Sequence, residues 1–145
     1  MTVIDETYNS NPEALKRTLE WVDQEYAGLG GGQKIAVLGD MLELGDNETQ
    51  YHKDVGQFFA GLGFDHLVTV GERARHIADG AKENGFGQKK IRCFDGSHEA
   101  GVYLRESVPE GSVVLFKASR GIRMENAVKE LTAVAPVKDK EKENK

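Results

Sequence analysis

Residues 35–45 read IAVLGDMLELG, a buried-strand pattern that stops at a glycine and is followed at once by carboxylates. Asp40 and Glu43 can accept hydrogen bonds from an ammonium group or a backbone amide, and the N–H groups of the strand end can hold a carboxylate. These acids lack the histidine or cysteine spacing that zinc requires. In the structural alternative, which the sequence leaves equally open, Asp40 caps a turn and the leucines beside it pack.

A second polar segment, DETYNSNP at residues 5–12, lies between a strand pattern and a helix pattern. It contains two acids, a phenol and two carboxamides. Asn11, directly before Pro12, is well placed as the N-cap of the helix. One cap does not need Tyr8 and Asn9 as well, so the whole segment is a candidate binding site.

The third polar segment is FKASRGIRME at residues 116–125. Lys117 ends an apolar run, and Ser119 and Arg120 precede a helix pattern, whose N-terminus is electropositive. The planar guanidinium of Arg120 suits a two-point contact with a carboxylate or a phosphate. The segment therefore predicts an anion site.

Helix starts and histidines add weaker predictions. Asn47, three residues before Gln50, predicts a capping box at the second helix, and Ser97 is predicted to cap the fourth. Of the four histidines only His52 is kept as a minor candidate, since it lies on the second helix near the strand ends. No two histidines have metal-ligand spacing, so no metal site is predicted.

Apolar runs of strand length alternate with amphipathic helical patterns along the chain. This alternation predicts an α/β fold of three layers, in which helices cover both faces of a mostly parallel, Rossmann-like sheet of five or six strands. The prediction leaves open that the first strand lies at an edge of the sheet and runs antiparallel to its neighbour. Because ligands of such sheets bind beyond the carboxyl ends of the strands, the three polar segments are predicted to meet along one rim. The predicted strands are residues 2–5, 34–38, 66–70, 91–94 and 112–117.

Composition limits the classes of function. A net charge of −5 without a basic stripe argues against a nucleic-acid partner, and no apolar run is long enough for membrane insertion. A single cysteine fits a reducing cytoplasm. One domain is predicted over residues 1–135, followed by a disordered charged tail at 136–145. The abrupt strand pattern at the first residues is typical of a domain cut from a longer protein.

Taken together, DETYNSNP, VLGDMLELG followed by His52 and Val55-Gly56, and KASRGIRME resemble the C-terminal domain of the Mur ligases over residues 2–131. The resemblance implies an ATP-dependent ligase of peptidoglycan synthesis that adds D-alanyl-D-alanine to UDP-N-acetylmuramoyl-tripeptide. It implies as partners the N-terminal and central domains of the same ligase, and ATP and Mg²⁺ held mainly by the central domain. Without those domains the chain is expected to be inactive, and no catalytic side chain is assigned to it.

The resemblance also implies roles by position. One set faces the nucleotide and the central domain, and the other binds the dipeptide substrate or the phosphates. The first motif departs from the family pattern, with Glu6 and Ser10 where Asp and Ala are usual. The nucleotide set is Glu6, Tyr8, Asn9 and Asn11; the substrate set is Asp40, Met41, Glu43, Lys117, Ser119 and Arg120.

Two other classes of protein fit the sequence less well. A phospho-receiver-like or other stand-alone flavodoxin-like module fits the acids Asp5 and Glu6 and the lysine Lys117, but the third strand ends in VTVGE without an aspartate acceptor. A dinucleotide-binding domain requires G-x-G-x-x-G after the first strand, and this sequence has none there. Both rank below the ligase domain.

Overall fold

A computed structural model describes residues 1–6, 11–28, 31–118 and 124–132. Strands and helices alternate through these residues, which confirms the α/β prediction, and every predicted strand end lies within one residue of the observed one. The tail predicted at 136–145 lies outside the described residues. The elements are β1 (Thr2–Glu6), α1 (Pro12–Glu25), β2 (Lys34–Gly39), α2 (Glu48–Ala60), β3 (His66–Val70), α3 (Arg75–Glu83), β4 (Ile91–Phe94), α4 (Ser97–Ser107), β5 (Val113–Lys117) and α5 (Glu125–Thr132).

The five strands form one sheet in the order β1-β5-β2-β3-β4, and every neighbouring pair is parallel. β1 is an edge strand, as expected, but the antiparallel direction allowed for it is wrong. Glu6 lies level with Lys117, so β1 and β5 end at the same edge of the sheet. Helical crossovers between successive strands explain these parallel directions, because a helix that packs on a sheet face returns the chain to the side where the previous strand began.

The strand order also rejects the receiver-like alternative. The flavodoxin-like order is 2-1-3-4-5, in which the first strand lies inside the sheet between the second and the third. Here β1 lies at the edge and β5 separates it from β2. The acids at the end of β1 are therefore not central in the sheet, as that alternative requires.

Two separate cores hold the three layers together. Alternate strand residues point to opposite faces, so Val3 belongs to one core and its neighbour Ile4 to the other. Helices α1, α2 and α3 cover the Ile4 face, and α4 and α5 cover the Val3 face. Buried helix residues are Leu15, Leu19, Val55, Phe59 and Ile77 on the first face, and Ala100, Leu104, Ala127 and Val128 on the second.

Helices α2 and α3 approach each other through glycines. A Cβ atom on Gly56 would overlap the carbonyl oxygen of Ile77, and one on Gly80 would overlap the backbone of Lys53. The two backbones are therefore in direct contact at these points, and a side chain on either glycine would push the helices apart. This close approach fixes α3 relative to α2, and with it the positions of the loops that precede both helices.

The predicted helix starts have mixed outcomes. Asn11 caps α1 as predicted, since its Oδ1 accepts a hydrogen bond of 2.9 Å from the N–H of Ala14. The Asn47 cap is wrong, because a 3₁₀ turn over Gly45–Asn47 continues directly into α2 and the Asn47 side chain makes no capping bond. The Ser97 cap is also wrong: Gly96 is the cap residue, and Ser97 is already the first residue of α4.

Asn11→Ala should lower the free energy of unfolding by about 1 kcal/mol, because the first turn of α1 loses the acceptor for one backbone N–H. Urea unfolding measures the loss. Asn47→Ala is the matched control, as the same residue type also precedes a helix but makes no capping bond. Equal losses in both variants would contradict the capping role.

Candidate functional site

The carboxyl ends of the strands form one edge of the sheet, which we call the carboxyl rim. Across it lie Glu6 at the end of β1, Lys117 at the end of β5 and Asp40 directly after β2. The helices after β1 and β2 pack on one face and the helix after β5 packs on the other, so the connections diverge on both sides of β5. Such a topological switch point is where ligands bind in open α/β sheets.

Four of the predicted site residues cannot be placed on this rim. Tyr8 and Asn9 of the first segment, and Ser119 and Arg120 of the third, lie outside the described residues. The second segment, with its two carboxylates, is described completely. Its contacts therefore define the best-characterised part of the site.

Lys117 lies at the centre of the switch point and is 5% exposed. Its Nζ is 3.9 Å from Oε2 of Glu6, and the same carboxylate oxygen accepts a hydrogen bond of 3.0 Å from the Thr18 hydroxyl. A buried ammonium group needs such a counter-charge, since desolvation disfavours it otherwise. Glu6 and Lys117 therefore form a fixed charge pair in the crevice between β1 and β5.

Asp40 is buried and holds the turn between β3 and α3. Its Oδ1 accepts a hydrogen bond of 2.7 Å from the N–H of Ala74, and its Oδ2 lies 3.5 Å from Nη1 of Arg73. Gly71, at a φ of +110°, leaves the room that this carboxylate occupies, because a Cβ there would overlap it. The structural alternative for Asp40, the cap of a turn, is therefore what the structure shows.

Met41 and His52 fix the beginning of the loop after β2. The Met41 side chain is fully buried in the core, and its N–H donates a 3.0 Å hydrogen bond to Nε2 of His52. Nδ1 of His52 lies 2.6 Å from the carbonyl oxygen of Glu48. An amide N–H can only donate, so Nε2 is unprotonated and Nδ1 carries the hydrogen that Glu48 accepts. Burial lowers the pKa of His52 below its ordinary value and so favours this neutral form.

Glu43 is an exposed acid of this loop. Its φ is +62°, and it alone among the described non-glycine residues has a positive φ. The left-handed region costs energy for residues with a Cβ and occurs where surrounding contacts enforce it, often at binding loops. The adjacent Leu44 packs against the core. Glu43 therefore offers a solvent-accessible carboxylate from a backbone that the packing of Leu44 constrains.

Arg73 is the residue of this site that the sequence did not indicate. Its Nε donates a 2.8 Å hydrogen bond to Oε2 of Glu48, and this bond raises the pKa of Arg73. The guanidinium is 44% exposed and also reaches Asp40. No spacing rule links Arg73 to an acid 25 positions earlier, so only the tertiary structure brings the two together.

A pocket of about 550 Å³ lies at the end of the edge strand β4. Arg75 contributes to its wall and pairs with Asp95 at 2.9 Å. Within the described ranges, no group of three or more histidine, cysteine, aspartate or glutamate side chains is arranged to hold a metal ion. None of the described helices has both the length and the apolar character needed to span a membrane.

The similarity of this chain to known proteins identifies its family. The family described as "Mur ligase, glutamate ligase domain" matches residues 1–120. The chain belongs to the Mur ligase family.

Among its curated relatives are two enzymes named UDP-N-acetylmuramoyl-tripeptide–D-alanyl-D-alanine ligase. The one from Bacillus subtilis is 33% identical over 131 residues, covering 90% of this chain and 28% of that protein. The one from Mycobacterium leprae is 33% identical over 135 residues, covering 84% of this chain and 26% of that protein. The chain thus spans little more than a quarter of the length of these relatives.

Solved structures give the same result. MurF from Acinetobacter baumannii superposes with a TM-score of 0.76 at 32% identity, over 90% of this chain and 28% of that one. The MurF ligase from Thermotoga maritima in complex with ADP superposes with a TM-score of 0.70 at 30% identity, again over 90% of this chain and 28% of that one. The three-layer fold described above, a parallel sheet with helices on both faces, is therefore the fold of the corresponding part of these ligases.

Proposed function

We propose that this chain is the C-terminal domain, residues 1–135, of an ATP-dependent ligase that adds D-alanyl-D-alanine to UDP-N-acetylmuramoyl-tripeptide. The supporting observation is similarity to ligases of that name over 90% of the chain, at up to 33% identity. The N-terminal and central domains of the same ligase are its partners, and the isolated chain is inactive because half of the cleft belongs to them. The ATP-driven reaction and the single cysteine support a cytoplasmic location.

In this proposal the β1 side of the rim faces the nucleotide. Glu6 and Asn11, together with Tyr8 and Asn9, contact ATP or the central domain that carries it. The complex of the Thermotoga maritima relative with ADP supports an adenine nucleotide as a ligand of the complete ligase. In the same proposal Mg²⁺ is held mainly by the central domain, together with the phosphates of ATP.

The loop after β2 faces the dipeptide. Glu43 is exposed and can accept a hydrogen bond from the dipeptide ammonium group, whereas Asp40 and Met41 are buried and hold the loop in place. Lys117 and Arg120 supply positive charge, and Ser119 a hydroxyl group, for the dipeptide carboxylate or the phosphates. The site residues of this chain thus orient the attacking amine; no nucleophilic side chain is required of them.

The test uses the complete ligase that carries this domain. The wild-type enzyme should release ADP only when the dipeptide and the UDP-linked tripeptide are both present. Asp40→Ala should raise the dipeptide KM about tenfold or lower kcat, because the turn at Ala74 loses its acceptor, and the KM for ATP should change little.

Asp46→Ala serves as the control, since Asp46 is an exposed acid of the same loop. A wild-type enzyme that does not join the dipeptide overturns the proposed function. Unchanged dipeptide parameters in Asp40→Ala overturn the role of this loop.

A further inference from the structure

We infer that Arg73 is a positioning residue for the dipeptide substrate, because it closes a ring of contacts that holds the loop after β2. This inference rests on the proposed function. Arg73 does not need to touch the substrate in order to act. It acts through the loop that carries Glu43.

The ring can be followed atom by atom. Arg73 binds Oε2 of Glu48 at 2.8 Å through Nε and approaches Oδ2 of Asp40 at 3.5 Å through Nη1. The carbonyl oxygen of Glu48 binds Nδ1 of His52 at 2.6 Å, and Nε2 of His52 binds the N–H of Met41 at 3.0 Å. Met41 follows Asp40 in sequence, so the contacts return to their starting point.

Three segments of the chain meet in this ring. Asp40 comes from the loop after β2, Glu48 from the first turn of α2, and Arg73 from the turn after β3. The Arg73–Glu48 contact joins α2 to that turn on the solvent side, while the other contacts of the ring are buried or partly buried. Its loss opens the ring at its exposed point.

Because the Arg73–Glu48 pair is exposed, its effect on the position of the loop can be measured separately from its effect on folding stability. The side chains of Arg73 and Glu48 are 44% and 37% exposed, and exposed ion pairs contribute little to folding. The loop that they restrain includes Glu43 in the left-handed region, a conformation that persists only where neighbouring contacts enforce it. Opening the ring should therefore displace Glu43 while the fold stays intact.

The experiment compares Arg73→Ala, Glu48→Ala and the double variant in the complete ligase. Each single variant should raise the dipeptide KM roughly fivefold, with the KM for ATP and the melting temperature unchanged. The double variant should be no worse than Arg73→Ala, since that single variant already removes the contacts of Arg73 with both Glu48 and Asp40. Arg73→Lys keeps the charge but not the Nε–H, so it should recover only part of the loss.

Arg75→Ala is the matched control. Arg75 is 46% exposed and pairs with an acid at 2.9 Å, but that acid is Asp95 at the edge strand and lies outside the ring. An unchanged dipeptide KM in Arg73→Ala, or an equal rise in Arg75→Ala, overturns the inference while an active wild-type enzyme upholds the proposed function. A wild-type enzyme without dipeptide-dependent ligation overturns both.

Discussion

Gly56→Ala is expected to lower the free energy of unfolding by about 3 kcal/mol, the largest effect we expect from a single methyl group in this chain. The added Cβ would overlap the carbonyl oxygen of Ile77 and crowd the N–H of Ala81, both of which are backbone atoms of α3. Backbone cannot rotate away as a side chain can, so α3 must shift as a whole. The shift would also weaken the packing of Ile77 and Ala81 in the core.

The sign of the effect makes this prediction decisive. Helix propensity alone favours alanine over glycine inside a helix by about 1 kcal/mol, so a helix without the close contact would be stabilised. Gly61→Ala is the control, because its nearest neighbour, the carbonyl oxygen of Phe58, would lie 3.5 Å from the new Cβ. Urea unfolding of both variants measures the difference, and a Gly56→Ala protein as stable as wild type would disprove the backbone contact.

His52→Ala is expected to lower the free energy of unfolding by about 3 kcal/mol, through an unsatisfied buried N–H at Met41 and a cavity in place of the ring. His52→Gln should recover part of the loss, because the amide oxygen can accept from Met41. The two variants together separate the lost hydrogen bond from the lost volume. If His52→Ala were as stable as wild type, His52 would not hold the loop.

The pH dependence of the wild-type protein provides a second readout for His52. Its folded-state pKa lies below the ordinary value of 6.5, since burial outweighs the opposing influence of Asp40 and Glu48 and His76 acts in the same direction as burial. Below about pH 6.5 the unfolded chain therefore binds a proton that the folded chain does not, and stability falls as the pH falls.

The contribution of neutral His52 to stability is complete above the ordinary pKa of 6.5. It is lost progressively as the pH drops towards the lowered pKa of the folded state. Denaturant unfolding between about pH 7.5 and pH 5.5 should show a smaller loss for His52→Gln than for wild type. His98→Gln, at an exposed position, controls for the removal of one histidine. Equal losses in wild type and His52→Gln would exclude a buried neutral imidazole.

The fold could largely be predicted from the sequence because its signals are local. Apolar runs bounded by glycine and polar residues place each strand, and the spacing of Leu15, Leu19 and Val22 gives the buried face of α1. The side-chain caps predicted at Asn47 and Ser97 were wrong for a local reason as well. Residue type favours a cap at both positions, but a 3₁₀ turn runs into α2 and the backbone at Gly96 already supplies the extended cap geometry.

The site was harder to predict from the sequence, because one residue pattern can fit more than one role and because contacting residues are far apart in the chain. The pattern around Asp40 fits a ligand contact and a turn cap equally, and only the tertiary structure shows the bond to Ala74. Arg73 has no partner within reach along the sequence and meets Glu48 only when β2 and β3 are side by side. The roles of His52 and Gly56 are likewise visible only in the tertiary structure. His52 accepts a hydrogen bond from the loop after β2, and Gly56 lies against the backbone of α3.

The position of β5 determines how this domain can be assembled during translation. β5 is made after the other four strands, yet it lies between β1 and β2 and is the described sheet neighbour of β1. Until residues 113–117 have left the ribosome, β1 and β2 each present an unpaired edge, the kind of surface that promotes aggregation and that chaperones protect. The Glu6–Lys117 pair can form only after β5 has been made, so a nascent chain interrupted before β5 lacks the strand at the centre of the rim.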